Sequence, residues 1–481
     1  MKNIFKLTAI TLVTGLVLVM LSSCKKELET TPQTSLTDLK TFDDVRSALK
    51  GCYAGFQSAN YYNNPSASGS GSGWSALPDL MGDDMIEALE SLGNWRTQSE
   101  MSYAADYGPI QSVYSQPYEI ISRVNNLLNF IGNYETGDNA TEAKRIKAQA
   151  LAIRAHAHFD LLRYFASSYD RASTAPGVAY VTIFNALKPF ANLPPRNSVK
   201  EDYDKIYADL NDALTAFRDG GDTPDNDSRN YIDSTVVYAM KARVDYYASD
   251  WNAAIADATI ALNLRPLTDA AGFADVFSAA GEPAPSSEVY WAIPSDGSMT
   301  PGGATNGANP NYRVSTPMSN IIIAQGGVYA NSSLIRFNQA GIGDFPRTLS
   351  RKYAGIKSFK VFRAGEMILI RAEAKQRTGV VTALDDLNEL RTNRGVATGS
   401  ETGAVLLTAI LLQRRVELLC EGHRWFDIKK ATRTINRTEC GTAGASTSNV
   451  CSIASTSRSW AFPIPFNDLK VNPNLTQNEG Y

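Results

Sequence analysis

Between Leu39 and Glu421 the apolar residues return every third or fourth position in nine separate stretches, and that period selects the α-helix. The stretches are 39–57, 112–132, 141–165, 199–218, 235–249, 251–264, 362–378, 383–393 and 404–421. The chain is therefore predicted to be mainly α, with nearly half of its residues helical. Two irregular regions interrupt the pattern, roughly 59–107 and 270–357, both rich in Gly, Ser, Asn, Pro and aromatic residues. Loops that long inside a compact chain usually carry function.

A repeat lies within the helical part. Across 238–266 a helix, a short turn and a second helix follow each other, and Trp251, Ala254, Ala258, Ala261 and Pro266 stand at the offsets of a tetratricopeptide unit. Ala383, Leu387 and Leu390 repeat the spacing of Ala254, Ala258 and Ala261 after the turn at Thr378 and Gly379. Small side chains at such positions let paired helices approach closely. Stacked helix pairs form a scaffold that leaves recognition to its loops. The predicted architecture is a tetratricopeptide-like helical-repeat scaffold with a loop-rich irregular subdomain.

The N-terminus bears on compartment. Lys2 and Lys6 flank the start of an uncharged apolar run, Leu7 to Met20, which ends at Leu21-Ser22-Ser23-Cys24. Fourteen helical residues span roughly 21 Å, short of a hydrocarbon core of roughly 30 Å, so the run reads as a secretory signal. A cysteine at that edge resembles the lipobox of bacterial lipoproteins, and Cys24 is the expected lipidation site. Residues 1–23 are then the signal peptide, 24–38 a lipidated N-terminus and polar tether, and 39–481 the folded domain. Loss of Lys2 and Lys6 takes the 46 basic side chains to 44 against 49 acidic ones, which leaves no basic field for nucleic acid. In an oxidising envelope Cys440 and Cys451, which share a Gly/Ser/Thr-rich segment, are candidates for a disulfide, whereas Cys52 and Cys420 sit in helical patterns as buried thiols.

Catalytic groups are scarce. The three histidines are His156, His158 and His423; the first two point about 200° apart on a helix, which argues against a shared metal. Asp79, Asp83, Asp84 and Glu87 cluster where a helix start would favour acids. Asp222, Asp225 and Asp227 fill a turn in which Arg229 stands where an EF-hand needs oxygen. Catalytic and metal sites, and cofactors, are accordingly expected to be absent. Ligand contact is instead sought among aromatic and amide side chains of the irregular regions, because flat rings cover the C–H faces of sugars while Asn and Arg meet hydroxyls. The candidates are Tyr61, Tyr62, Asn63, Trp74, Asn94, Trp95 and Arg96 in the first region, and Trp291, Asn309, Asn311, Tyr312 and Arg313 in the second.

Five blocks of the sequence resemble, in order, those of the SusD/RagB nutrient-uptake lipoproteins. They are Tyr118, Ile121 and Asn125; the run from Ala148 through Phe165; Arg363, Glu366, Ala372-Glu373-Ala374 and Arg394-Gly395; Arg414-Arg415-Val416-Glu417-Leu418 with Glu421 to Ile428; and Phe462-Pro463-Ile464-Pro465 with Asn472 to Asn478. Departures are Tyr114 where Trp is usual and Gln149 where Glu is common. The resemblance implies a surface-facing lipoprotein, anchored in the outer membrane, that binds a nutrient, usually an oligosaccharide, and hands it to a TonB-dependent barrel of the SusC kind. It identifies no single ligand-contacting residue. Two other readings stay open: a mainly structural lid on the transporter, and a surface hydrolase. The charged motif residues Arg414, Arg415, Glu417 and Glu421 are expected to be scaffold, paired with Glu366, Glu373 or Arg391, with Gly422 as a left-handed cap and Trp425 in the core.

Overall fold

Thr41 sets the first helix by satisfying its orphan N–H groups: its hydroxyl accepts from the Asp44 N–H, and the Asp44 carboxylate accepts from the Thr41 N–H. The helix that follows is α1, Phe42–Phe56. Our structure is a computed structural model, and it describes residues 39–58, 60–62, 77–185, 188, 191–222, 229–278, 287–294, 312–339, 347–353, 358–441 and 448–481. The expected signal, Cys24 and tether lie outside these residues.

Eight further long helices follow among the described residues: α2 Gly108–Ile131, α3 Ala140–Phe165, α4 Val199–Asp219, α5 Ser234–Ala248, α6 Trp251–Leu264, α7 Ala364–Thr378, α8 Ala383–Asn393 and α9 Gly403–Glu417. Each falls on one predicted stretch. A second capping box, Ser198 with Glu201, opens α4, and Asp233 and Asp250 cap α5 and α6. The helices pack as a succession, α1 on α2, α2 on α3, α3 on α4, α4 on α5, α5 on α6, α6 on α7, and α7 on both α8 and α9. Because α6 is sandwiched by α5 and α7, its Ala254, Ala258 and Ala261 are fully buried. This is the stacked-pair scaffold that the repeat spacing predicts.

Helix ends differ from the prediction by a few residues, α1 opening at Phe42 and α2 at Gly108, and two of them have a clear local cause. The last stretch stops at Glu417 because Cys420 and Gly422 adopt positive φ, 64° and 76°, and turn the chain. Lys352 Nζ then donates to the freed carbonyls of Glu417 and Leu419 at 2.7 and 3.1 Å. Gly422 is thus left-handed, but five residues past the end of the helix. At the other stretch, Phe359–Arg363 is a strand, and α7 begins after it.

The regions read as irregular contain short regular pieces. Strands β1 Met85–Glu87, β3 Tyr312–Val314, β5 Arg347–Ser350 and β4 Ile335–Gln339 form a sheet in that order, while β2 Val289–Ile293 pairs antiparallel with β6 Phe359–Arg363. Near the C-terminus β7 Ile435–Asn436 pairs with β8 Ser452–Ile453. Cys440 and Cys451 are bonded beside this pair with Cα atoms 5.0 Å apart, and Cys52 and Cys420 are buried thiols. No helix among the described residues is long and apolar enough to cross a membrane.

Candidate functional site

The two irregular regions are rooted together. Where they leave the scaffold, Gln57 Nε2 donates to the Pro294 carbonyl at 3.0 Å, and Phe56 meets Trp291 edge-on at 5.1 Å. Where they return, β1 and β3 pair antiparallel, Met85 opposite Val314, Ile86 opposite Arg313 and Glu87 opposite Tyr312. The intervening 63–76 and 295–311 lie outside the described residues, and with them Asn63, Trp74, Asn309 and Asn311.

Six of the residues expected to touch ligand belong to the core instead. Tyr61 and Tyr62 are buried and stacked at 4.6 Å, and both hydroxyls donate to Asp160 Oδ2, at 2.7 and 2.8 Å. Trp291 is fully buried among Phe56, His156 and Phe362, with its indole N–H on the Asn230 carbonyl at 3.2 Å. Trp95 is fully buried and edge-on to Tyr312, itself buried. Arg313, 1% exposed, reaches Glu439 at 3.2 Å. The correction has one physical reason: an aromatic face that suits a sugar suits a core equally well.

Trp95 still shapes the surface. Its backbone N–H donates to Glu87 Oε1 at 2.7 Å, and the Ser91 hydroxyl donates to the same oxygen. Pinned at both ends, the intervening turn places Leu92 at φ 55° and Gly93 at φ 84°, with Asn94 and Arg96 exposed. Leu92 is 83% exposed, an apolar side chain held outward beside two polar ones. Nothing in its sequence neighbourhood marks it, since only the left-handed backbone turns it outward.

The charged motif residues are consumed inside. Arg363 donates to Glu288 at 2.9 Å, to Glu421 at 2.6 Å and to Glu417; Arg394 bridges Glu288 and Glu417 at 2.8 and 3.0 Å. Burial alone pushes the Glu417 carboxyl up, but Arg394 and Arg363 hold it well below the usual carboxylate range. Arg414 pairs with Asp427 at 2.9 Å, and Arg415 with Asp84. Their role is scaffold, as expected, and Arg414 lies 4.0 Å from Glu366, one of the expected partners; the others differ, since Arg391 pairs with Glu401 and Glu373 with Arg377, and Glu366 also serves Arg243. Trp425 is fully buried, stacked between Tyr164 and Trp460.

The other titratable candidates are similarly engaged. His156 faces Tyr62 and Trp291, whereas His158 stacks on Tyr180 at 3.7 Å, and burial lowers them to about 4 and about 3 respectively. His423, also buried, falls well below its ordinary value. Asp79 accepts the Gly422 N–H at 2.8 Å, Asp83 takes Arg424 at 2.6 Å, and Asp222 accepts the Ser234 N–H at 3.0 Å. Asp225 and Asp227 lie outside the described residues. Among the described residues, no three His, Cys, Asp or Glu side chains gather as a metal site.

Comparison with known proteins adds three findings. A family model described as "SusD family" matches residues 240–481, and one described as "Starch-binding associating with outer membrane" matches 39–248. A SusD-like protein of Formosa agariphila is 25% identical over 551 aligned residues, covering 99% of each chain. A solved structure titled a putative sugar binding protein, from Bacteroides vulgatus, aligns with TM-score 0.78 at 22% identity over 92% of this chain and 99% of its own. A SusD superfamily structure from Bacteroides thetaiotaomicron aligns with TM-score 0.75 at 22% identity over 91% of this chain and 99% of its own. At such identities these neighbours speak to the fold.

Proposed function

The chain belongs to the SusD family, and from that premise we propose that it is a non-enzymatic binding lipoprotein of the outer membrane which captures a saccharide where its two long irregular regions are rooted together. Cys24 carries the lipid, the face looks outward, and captured ligand passes to a TonB-dependent barrel of the SusC kind. The observation that carries this reading is the double convergence, Gln57 with Pro294 on one side and β1 with β3 on the other. It lets 63–76 and 295–311 act on one ligand, with Asn63, Trp74, Asn309 and Asn311 as contacts and the exposed Leu92, Asn94 and Arg96 beside them. The family description of starch binding at the outer membrane, and the sugar-binding title of a structural neighbour, support the ligand class.

One observation favours a second reading. Burial of Tyr61, Tyr62, Trp95, Trp291 and Tyr312 removes five aromatic rings from the surface inventory, as suits a structural lid with little affinity of its own. A glycan array probed with the chain from Lys25 onward separates the two. Selective binding of a saccharide supports capture; a blank array, with the chain still co-purifying with a barrel, supports the lid.

A further inference from the structure

A concavity lined by none of the loop roots opens where the α5–α6 turn meets α7, α9 and the short helix α10, Arg424–Lys430. Its volume is about 660 Å³. Six cations line it, Arg377, Arg414, Arg415, Arg424, Lys430 and Arg433, against the two carboxylates Glu373 and Asp427. Asp83 and Asp84, behind the wall, take up Arg424 and Arg415. Asp427 takes Arg414, and Glu373 takes Arg377 at 2.7 Å.

Two cations then remain without a carboxylate among the described residues. Lys430 Nζ donates to Ser249 Oγ at 3.0 Å and sits 4.5 Å above the Trp251 ring. The same ring holds the Arg377 guanidinium at 5.0 Å. Arg433 is exposed, and its side chain has no partner among the described residues. Behind them Arg414 is 2% exposed, lies 4.7 Å from the Tyr246 ring, and has its Nη1 buried with no hydrogen-bond partner among the described residues. An orphaned guanidinium donor in an interior this polar is costly. Burial, together with Arg377 and Arg414, pulls Lys430 down to about 8, although Glu373 and Asp427 oppose this.

We propose that this cleft is a second binding site that takes an oxoanion, a carboxylate, sulfate or phosphate group, on Lys430, Arg433 and Arg414. The group is either a free inorganic anion or the acidic substituent of a saccharide. Trp251 preorganises the lysine, and the acids already in the cleft are spoken for, so an entering anion meets donors instead of competing carboxylates.

The test is titration calorimetry on the full chain in detergent at low ionic strength, with inorganic sulfate, glucuronate and glucose as probes. Saturable binding of sulfate or glucuronate, weakening as salt is added, and none of glucose is the expected result. Glucuronate binding more tightly than sulfate assigns the site to an acidic saccharide; sulfate binding as tightly or more so assigns it to a free anion. The double variant Lys430→Gln, Arg433→Gln should weaken anion binding at least about tenfold, with its thermal melt unchanged. The double variant Lys188→Gln, Lys470→Gln, an equal loss of two charges outside the cleft, should leave the affinity alone. The proposal is overturned if neither anion saturates, or if this control weakens binding as much as the cleft variant. It stands apart from the loop face, since Trp74→Ala should not alter sulfate binding.

Discussion

Asp79 shows how one buried carboxyl couples the loop region to the motif that follows α9. It is 2% exposed and accepts the backbone N–H groups of Gly422 and Arg424. Burial outweighs those two bonds and raises it from its ordinary 3.8 to about 7. A carboxyl held above its unfolded value contributes stability that is fully present below about 4 and lost as pH rises through about 7. Between pH 5.5 and 8.5 that loss is about 2 kcal/mol for this group. Asp79→Asn keeps an acceptor for one of the two N–H groups and cannot ionise. Its stability should therefore fall by about 2 kcal/mol less than wild type over the same interval, measured by denaturant melts at the two pH values. Equal falls in both proteins would show that Asp79 does not titrate in this way. The residue scale is also where sequence reading was weakest. The partner of Tyr61 and Tyr62 is Asp160, 99 and 98 positions away, and no local pattern shows that two adjacent tyrosines will spend their hydroxyls there.

Helices were legible because their apolar period persists over many turns and because Thr41, Ser198, Asp233 and Asp250 mark their starts. Strands of three to five residues, such as β1 and β2, are too short to declare a period, and so the regions holding them read as irregular. The motif around α9 lies between these extremes. Its charges had to be paired inside, but which charge meets which was set by the turn at Cys420 and Gly422 and by β6 delivering Arg363. The seam of α6 is the most direct test at this scale. Ala258 is fully buried in a helix packed on two sides, so Ala258→Leu should destabilise the fold by about 1–3 kcal/mol, read as a lower denaturation midpoint at unchanged slope. A midpoint equal to wild type would mean that the seam has room to spare, contrary to the close approach its small residues imply.

For the whole molecule, the chain is arranged as a stacked helical body whose two irregular regions leave and return side by side, and this arrangement supports capture on that face. Anchoring belongs to the same scale. Several acyl chains on one cysteine hold a protein on a membrane far longer than a single chain does. Cys24→Ala should therefore release the protein from the membrane fraction or leave an uncleaved precursor, as fractionation and intact mass will show; unchanged partition and mass would reject the anchor. The family was legible in its motifs, but the role of individual aromatics was not, because burial decides between core and contact.

Calorimetry with the saccharide selected by a glycan array, comparing Trp74→Ala with Trp291→Ala, tests the capture face most directly. Stacking at a surface contact contributes about 1–3 kcal/mol to binding and little to folding, so Trp74→Ala should lose affinity and keep its melting temperature. Trp291 is fully buried, and its removal should cost about 3–5 kcal/mol of stability while the protein that stays folded binds nearly as before. Undiminished affinity in Trp74→Ala, with a melt lowered as far as that of Trp291→Ala, would contradict capture by this face.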